Sequence, residues 1–294
     1  MYQAGLVLEG GGMKGVYTAG VLDFFLDKGI EFSSCYGVSA GACALCSFLS
    51  KQRGRAYHVN VDYLDDRNYC SLYSLIKTGD LFGEEMCYHR IPDKLYPYDY
   101  EAFNQYQGTF YSVVTNIETG RPEYIPIKDM KKEIDAIRAS ASLPLVSRNV
   151  SFRGKLYLDG GISDAIPVRR SMRDGNTKNV VVMTKEAGYR RDPASVPIMA
   201  LLRMRYRKYP RVSERMENRH KLYNKTLDLI ADEVKKGTVF LIQPKKKSLV
   251  GRIEKDREKL RALYEEGYEQ ASECYEDLMR FLKDSDTGKE QSGK

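Results

Sequence analysis

Short apolar runs alternate with helix-forming segments over the first 50 residues of the chain. The run AGLVLEG (4–10) is typical of a buried strand, and residues 13–28 are predicted to form a helix that ends at Gly29. The segment FSSCYGVS (32–39) predicts a second strand, and AGACALCSFLSK (40–51) a second helix. This alternation predicts an α/β fold with a mostly parallel sheet and right-handed crossovers.

Residues 52–107 interrupt this pattern. They are polar and rich in tyrosine, with ten of the 22 tyrosines lying between Tyr57 and Tyr111. A tyrosine has an apolar body and a polar tip, and so suits a half-buried or wet surface. Two interpretations stay open: an insertion that caps a site, or helical padding whose tyrosines pack half-buried.

Strand patterns return after residue 107. They are, in order, a hairpin formed by TFYSVVTN (109–116) and PEYIPI (122–127), a helix at KKEIDAIRASAS (131–142), a hairpin at VSFRGKLYLDGG (150–161) and a continuous apolar strand at NVVVMTK (179–185). We therefore expect a three-layer α/β/α core over residues 1–185.

A mostly helical continuation of the same domain is predicted for residues 186–283. It contains helices between about 195 and 236, the strand TVFLIQP (238–244) and one long amphipathic helix over about 252–283. The apolar positions of that last helix recur every three or four residues: Leu260, Leu263, Tyr264, Ala271, Tyr275, Leu278, Met279 and Leu282. The polar tail, 284–294, is expected to be disordered.

Composition indicates an ordinary globular protein. The chain has 294 residues, 42% of them hydrophobic and 30% charged, and can bury a core without disulfide staples. No apolar run approaches the ~18 residues that span a bilayer, and no signal-peptide pattern is seen, so we expect a cytoplasmic protein. The one C-x-x-C pair, Cys43 and Cys46, is interpreted as two small residues on a buried helix face, with all six thiols reduced.

The net charge of +7 is unevenly distributed. Residues 203–225 carry nine Lys or Arg against two Glu, and PKKKSLVGRIEK (244–255) is a second basic run. Such runs indicate either a solvated helix face or reversible, salt-sensitive contact with an anionic membrane, here without a hydrophobic anchor. No nucleic-acid-binding module is recognisable, and no nucleic-acid partner is expected.

The glycine loop after the first strand raises a choice between two functions. Residues Gly10 to Gly15 match G-x-G-x-x-G, the pattern of a dinucleotide-binding turn. A dinucleotide fold also requires an acidic residue at the end of the next strand, whereas Glu31 precedes that strand. Glycine amides can instead stabilise an oxyanion that forms during acyl transfer.

The second strand ends in a motif that favours acyl transfer. GVSAG, Gly37 to Gly41, matches the nucleophile elbow G-x-S-x-G and would present Ser39 at a helix N-terminus. Gly10, Gly11 and Gly12, with Ala40, would then form the oxyanion hole.

The base for this serine is not expected among the three histidines. His58, His89 and His220 lie in polar or basic segments without turn chemistry and are interpreted as surface residues. Asp159 ends an apolar strand at a glycine turn, so it is either a turn-forming Asp-Gly or the catalytic side chain that is expected at the end of a strand of the sheet.

Three motifs in this order resemble the patatin-like phospholipases. They are GGGMKG at 10–15, GVSAG at 37–41 and DGG at 159–161, with ASASLPLVS at 139–147 as a further likeness. The resemblance implies a Ser–Asp dyad of Ser39 and Asp159 and lipid acyl hydrolase activity. One departure is that Asp164, Ala165 and Ile166 precede Pro167, where the family commonly places Asn before the proline.

Further expectations follow from the resemblance. Motif support is assigned to Lys14, Gly15, Gly37, Gly41, Gly160 and Gly161. We expect a lipid or ester substrate, no cofactor and no metal, since no Asp-rich calcium loop is present. Lys14 either positions the site or faces solvent. Three alternatives stay open: a dinucleotide-binding protein, a protein that binds anionic surfaces or nucleic acid on an inactive hydrolase fold, and a peripheral location at the inner membrane surface.

Overall fold

The computed structural model describes residues 1–283 of the chain. Eight strands form one sheet: β1 (Tyr2–Leu8), β2 (Phe32–Val38), β3 (Thr109–Asn116), β4 (Pro122–Ile127), β5 (Val150–Phe152), β6 (Lys155–Asp159), β7 (Asn179–Val182) and β8 (Val239–Ile242). The α-helices are α1 (Gly15–Asp27), α2 (Ala40–Leu49), α3 (Arg55–Val61), α4 (Leu72–Thr78), α5 (Tyr100–Asn104), α6 (Met130–Ser140), α7 (Val168–Arg173), α8 (Val196–Arg205), α9 (Pro210–Lys235), α10 (Arg257–Glu273) and α11 (Tyr275–Lys283).

The sheet has a parallel centre and an antiparallel edge. Its order is β5-β6-β3-β2-β1-β7-β8, with β4 also paired to β3. Strands β3, β2, β1, β7 and β8 run parallel, whereas β4, β5 and β6 join antiparallel. The predicted α/β class with a mostly parallel sheet is confirmed.

Both faces of the sheet are covered by helices. Along β1, Leu6 and Leu8 face one apolar cluster, which includes residues of α1, α2 and α10, while Val7 faces a second cluster, which includes residues of α7 and α9. Because successive strand residues point to opposite faces, this division defines three layers. The expected α/β/α arrangement is therefore present.

Helices α1 and α10 cross through two glycines. A Cβ atom at Gly20 would lie 2.0 Å from the carbonyl oxygen of Tyr264, and one at Gly267 would lie 2.1 Å from that of Tyr17. Only glycine permits backbones to approach this closely. Helix α10 is thus packed tightly against α1, the first helix of the core.

The prediction of a single long helix over 252–283 is wrong in detail. The observed helix begins at Arg257, where the Asp256 side chain caps it, and it is interrupted at Cys274. After the break, α11 packs Phe281 against Phe240 of β8, with ring centroids 5.6 Å apart. A straight helix optimises only its own hydrogen bonds, whereas the break allows the last residues to cover the sheet edge.

Helix α8 has a partly apolar exposed surface, which the sequence analysis did not identify. This helix buries Met199 and Leu202 but exposes four apolar side chains, listed here: Val196, Ile198, Leu201 and Met204. Within the described residues, every helix is too short or too polar to cross a bilayer.

Candidate active site

Ser39 lies at a sharp turn between β2 and α2. Its φ of 54° and ψ of −122° fall outside the conformations that non-glycine residues commonly adopt. The Ser39 amide donates to the Ser140 hydroxyl at 2.9 Å, and that hydroxyl donates to the Val113 carbonyl at 2.6 Å. Ser140, at the end of α6, therefore holds the turn. Nothing in the local sequence around GVSAG indicates this contact.

Tight packing explains the glycines around Ser39. A Cβ atom at Gly37 would lie 2.6 Å from the Cα of Ala42, and one at Gly41 would lie 2.8 Å from the Leu8 carbonyl oxygen. These contacts bring the first turn of α2 against the end of β1. The motif therefore serves the close approach of a helix to the sheet as well as the turn itself.

The register of β3 brings Asp159 to Ser39. Val113 pairs with Val38, the last residue of β2, and the next residue, Val114, pairs with Asp159, the last residue of β6. Because β2 runs parallel to β3 and β6 runs antiparallel to it, the carboxyl ends of both strands meet at this point. Two residues 120 positions apart in sequence (159 minus 39) thus lie side by side.

The Asp159 carboxyl is buried, with 2% of the residue exposed. Its Oδ1 atom accepts the Gly161 amide at 2.7 Å, whereas Oδ2 has no partner of good hydrogen-bond geometry among residues 1–283. Burial raises the pKa of this carboxyl, while Arg219 and the nearby Ser39 hydroxyl lower it in part. A desolvated carboxylate oxygen beside a serine hydroxyl is suited to accept its proton.

The loop after Asp159 is supported by side chains that sequence reasoning did not identify. Asp164, which is partly buried, accepts a hydrogen bond from Tyr124 of β4 at 2.6 Å. The Thr115 hydroxyl donates to the Asp159 carbonyl at 2.8 Å and lies 2.7 Å from the Ser163 hydroxyl. At Gly160 a Cβ atom would lie 2.1 Å from the Val113 carbonyl oxygen. These contacts fix the loop despite the absence of the family's usual asparagine.

The glycine loop lies against Ser39. A Cβ atom at Gly10 would lie 2.8 Å from the Cβ of Ser39. Gly12 has a φ of 60°, and the next amide, that of Met13, donates to the Arg252 carbonyl at 3.0 Å. In the described part of the chain, no acceptor is found for the amides listed here: Gly10, Gly11, Gly12 and Ala40. This position favours an oxyanion hole over a dinucleotide-binding turn.

An apolar cavity of about 150 Å³ opens beside Ser39. The insertion supplies many of its walls, including Tyr69, Tyr88 and Tyr98, so these residues cap the site as well as filling space. Cys43 and Cys46 of α2 also line it as free thiols, and burial raises the pKa of both. Their side chains therefore behave as small apolar wall residues.

The histidines lie away from this geometry. His58 is exposed and pairs with Asp62 at 3.1 Å, and none of the three histidines lines the cavity. His220 departs from the expectation of a surface residue, since its Nδ1 atom is buried and has no partner among residues 1–283. The interpretation of Lys14 as a solvent-facing residue is wrong, because only 9% of the residue is exposed.

Basic residues from the C-terminal half also reach the site, and sequence reasoning missed them. A recess of about 30 Å³ shares Ser39, Asp159 and the glycine loop. Four cationic side chains line it: Lys185, Arg191, Arg219 and Arg252. Arg219 belongs to the basic stretch 203–225, which the sequence suggested to be a solvated or membrane-facing surface. Its position on a helix gave no sign of this inward orientation.

Comparison with known families gives two matches along the chain. A family model described as patatin-like phospholipase matches residues 6–171, and a model described as a domain of unknown function (DUF6363) matches residues 209–283. The first match contains the glycine loop, Ser39 and Asp159. The second contains Arg219 and Arg252.

Similar proteins are found in a bacterium and a virus. The uncharacterized protein YjjU of Escherichia coli K12 is 35% identical over 184 residues, covering 61% of this chain and 51% of that protein. The probable lipid hydrolase 463L of Invertebrate iridescent virus 6 is 26% identical over 196 residues, covering 60% of this chain and 66% of that protein. The chain thus spans about half to two thirds of these relatives. The crystal structure of VipD from Legionella pneumophila aligns with a TM-score of 0.49 and 12% identity, over 94% of this chain and 67% of VipD.

Proposed function

The chain belongs to the patatin-like phospholipase family, and on that premise we propose that it hydrolyses lipid esters through a Ser39–Asp159 dyad. The observation that carries the proposal is the meeting of β2 and β6 on β3, which sets Ser39 beside a buried carboxyl and a loop of free amides. The name of the viral relative, a probable lipid hydrolase, agrees with this activity.

The proposed mechanism follows from the free atoms of the site. Asp159 Oδ2 accepts the Ser39 proton while Oγ attacks the carbonyl carbon of the ester. The oxyanion accepts hydrogen bonds from amides of the Gly10–Gly12 loop and Ala40. Asp159 returns the proton to the departing alcohol, which leaves an acyl-enzyme. Asp159 then deprotonates a water molecule that releases the fatty acid and regenerates Ser39.

The apolar cavity is the place for the acyl chain. Its volume, about 150 Å³, is comparable with engineered apolar cavities that bind benzene, so it holds part of an acyl chain. Each buried methylene contributes about 0.8 kcal/mol. We therefore expect medium-chain esters to have lower KM values than acetyl esters with the same alcohol.

Covalent labelling tests the nucleophile. A fluorophosphonate probe should label the wild type and fail to label Ser39→Ala. Ser47→Ala is the matched control, because Ser47 lines the same cavity and should not react. Equal labelling of the wild type and Ser39→Ala would remove Ser39 from this role.

Single replacements of the histidines test the dyad. His58→Gln, His89→Gln and His220→Gln should each keep most of the esterase activity, since none lines the cavity. A histidine variant as inactive as Asp159→Asn would mean a triad.

Contact with an anionic bilayer is a further part of the proposal. Helix α8 presents its exposed apolar side chains together with Arg203 and Arg205, and it shares an apolar cluster with Ile162, just after the dyad aspartate. Each basic residue near an anionic surface adds about 1 kcal/mol, and salt weakens the attraction. Docking through α8 would place the site near its substrate.

Vesicle co-sedimentation tests this contact. The wild type should bind phosphatidylglycerol vesicles more than phosphatidylcholine vesicles, and less at high salt. Reversing four charges should lower this binding while hydrolysis of a soluble ester continues: Arg203, Arg205, Arg207 and Lys208. If this variant binds vesicles as well as the wild type does, α8 and its neighbours are only a solvated surface.

A further inference from the structure

One part of the wall of the apolar cavity carries a charge. Ser39 precedes α2, and Ser47 lines the same cavity near the other end of that helix. Ser47 comes eight residues later (47 minus 39), and a helix rises by about 1.5 Å per residue, so the two serines lie about 12 Å apart along the helix axis. Arg55, the first residue of α3, also lines the cavity and donates to the Ser47 hydroxyl at 3.5 Å. The cavity thus reaches from the proposed nucleophile to a guanidinium group.

Arg55 carries a buried positive charge that no carboxylate neutralises. Only 6% of the residue is exposed, and it forms no salt bridge within residues 1–283. Its Nη2 group donates to the Tyr96 carbonyl at 3.1 Å, whereas its Nε–H has no partner among the described residues. An arginine stays protonated in proteins, so the charge is present at neutral pH.

Two tyrosine rings offset part of this charge. The Arg55 guanidinium lies 5.5 Å from the ring centroid of Tyr96 and 5.2 Å from that of Tyr98. The face of an aromatic ring attracts a cation but carries no net charge. Burial therefore still lowers the pKa of Arg55. Buried charges in proteins are normally paired, so a desolvated cation with a free donor is a binding position for an anion.

We propose that Arg55 binds a carboxylate at the far end of the acyl chain, so that acyl chains with a terminal carboxylate are preferred over neutral chains of the same length. The inference rests on the proposed function, because the cavity is assigned to the acyl chain by its opening beside Ser39. The planar guanidinium presents parallel N–H donors that match the two oxygens of a carboxylate. A single negative charge is expected, because Arg55 is the only cationic side chain in the wall of this cavity among the described residues.

The position of Arg55 also selects the length of the chain. A carbon–carbon bond of about 1.5 Å advances an extended chain by about 1.3 Å, so the seven bonds of an eight-carbon chain span about 9 Å. The distance of about 12 Å along α2 then leaves about 3 Å, which is the length of one hydrogen bond. An acyl chain of eight carbons is therefore expected to place its terminal carboxylate at Arg55.

The kinetic test uses three 4-nitrophenyl esters of the same acyl length. They end in a methyl group (the octanoate), in a carboxylate (the half-ester of octanedioic acid) or in the corresponding neutral amide. The wild type should prefer the carboxylate to the amide by about 10- to 100-fold in kcat/KM, the effect of one charge-assisted hydrogen bond, and mainly through KM. Arg55→Met should remove this preference and favour the octanoate. Arg55→Lys, which keeps the charge without the planar donors, should keep part of it.

A purely structural role of Arg55 gives a different result. Its Nη groups link Tyr96 of the insertion to Ser47 of α2, and loss of these links alone would lower kcat/KM for all three esters by the same factor. An unchanged ratio of carboxylate to amide in Arg55→Met would therefore overturn the inference.

Arg67→Met is the matched control. Arg67 belongs to the same insertion, is exposed and is absent from the cavity wall, and it forms no salt bridge in the described part of the chain. This variant should keep the wild-type preference for the carboxylate. If it loses the preference as Arg55→Met does, general electrostatic attraction explains the effect, and Arg55 is not the binding position.

A length series needs only the wild type, and so decides the question even if Arg55→Met does not fold. The half-esters of hexanedioic, octanedioic and decanedioic acids place the carboxylate at different distances from Ser39. The ratio of kcat/KM between each half-ester and its terminal amide should be greatest for the octanedioic pair. A ratio that is the same at all three lengths would overturn the inference, because the carboxylate would not be held at a fixed distance.

Binding of two ketones separates this inference from the proposed hydrolysis. 8-Oxononanoate and nonan-2-one differ only in a terminal carboxylate or methyl group, and neither can be hydrolysed. Calorimetry should show about tenfold or tighter binding of 8-oxononanoate to the wild type, and Arg55→Met should remove the difference. Equal binding of the two ketones overturns the carboxylate site even if the esters are hydrolysed. If no ester is hydrolysed, the proposed function fails, and the ketones alone decide the role of Arg55. A preference for 8-oxononanoate that persists in Arg55→Met would assign the carboxylate to other cations and overturn the inference.

Discussion

Replacing Ser140 with alanine removes the hydrogen-bond acceptor of the Ser39 amide. That acceptor lies at 2.9 Å, and no other partner of this amide is found in the described residues. Leaving a buried donor without a partner costs about 1–3 kcal/mol. Holding a non-glycine residue at a positive φ costs on the order of 1–3 kcal/mol as well. The free energy lost with this hydrogen bond is therefore as large as the free energy of the backbone strain that the hydrogen bond opposes.

The expected result is a loss of turnover with little change in KM. A free-energy change of 1.4 kcal/mol is about tenfold in a population, so a loss of 1–3 kcal/mol lowers the share of chains with the correct turn by roughly 5- to 150-fold where the turn relaxes freely. The apolar cavity beside Ser39 does not include Ser140. Initial rates with a soluble ester give kcat and KM, and urea unfolding gives the free energy of unfolding.

Ser142→Ala is the matched control for this change. The Ser142 hydroxyl donates to the Arg138 carbonyl at 2.8 Å, and this carbonyl also accepts the Ala141 amide at 3.1 Å. Losing the Ser142 hydroxyl therefore leaves no group unpaired, and kcat should stay near the wild-type value. If Ser140→Ala and Ser142→Ala have the same kcat within about twofold, Ser140 does not hold the turn.

Three further predictions follow. Asp159→Asn should lower turnover by about 10²–10⁴. It should also raise the free energy of unfolding at pH 7, because an ionised carboxyl whose pKa is raised in the fold destabilises the native state by roughly 1.4 kcal/mol per pKa unit. A variant that is less stable than the wild type in urea unfolding at pH 7 would contradict this. In the wild type, the contribution of Asp159 to the free energy of unfolding should be complete below its ordinary pKa of about 3.9 and be lost as pH rises through the higher native pKa. Over that same interval kcat should rise, and a pH–rate profile without an acid limb assigned to Asp159 would refute this. Gly20→Ala should lower Tm far more than Gly188→Ala, because the new Cβ at Gly20 would lie 2.0 Å from the Tyr264 carbonyl oxygen, whereas Gly188 has open space and only a φ of 77°. Similar shifts in Tm for both variants would mean that the crossing of α1 and α10 can relax.

The sequence by itself determined the α/β class and the strands of the sheet. Strand and hairpin patterns at 109–116 and 122–127 coincide with β3 and β4, because the period of two along a strand is a local property. The glycine loop, GVSAG and DGG were visible as motifs, since tight turns require particular residues at particular spacings. The family follows from them, and the family match confirms it.

Only the tertiary structure decided how those motifs meet. The register at Val113 and Val114 sets Ser39 beside Asp159, and no pattern within either segment encodes a pairing between strands so far apart. Ser140 reaches the Ser39 turn from another helix for the same reason.

The sequence also could not predict which basic side chains point towards the site and which point to solvent. Arg219 and Lys221 belong to one basic run, yet Arg219 lines the recess while Lys221 is exposed to solvent. A helix turns by 100° per residue, so a run of charges cannot all face the same side, and only the packing of α9 against the sheet selects which of them points inward.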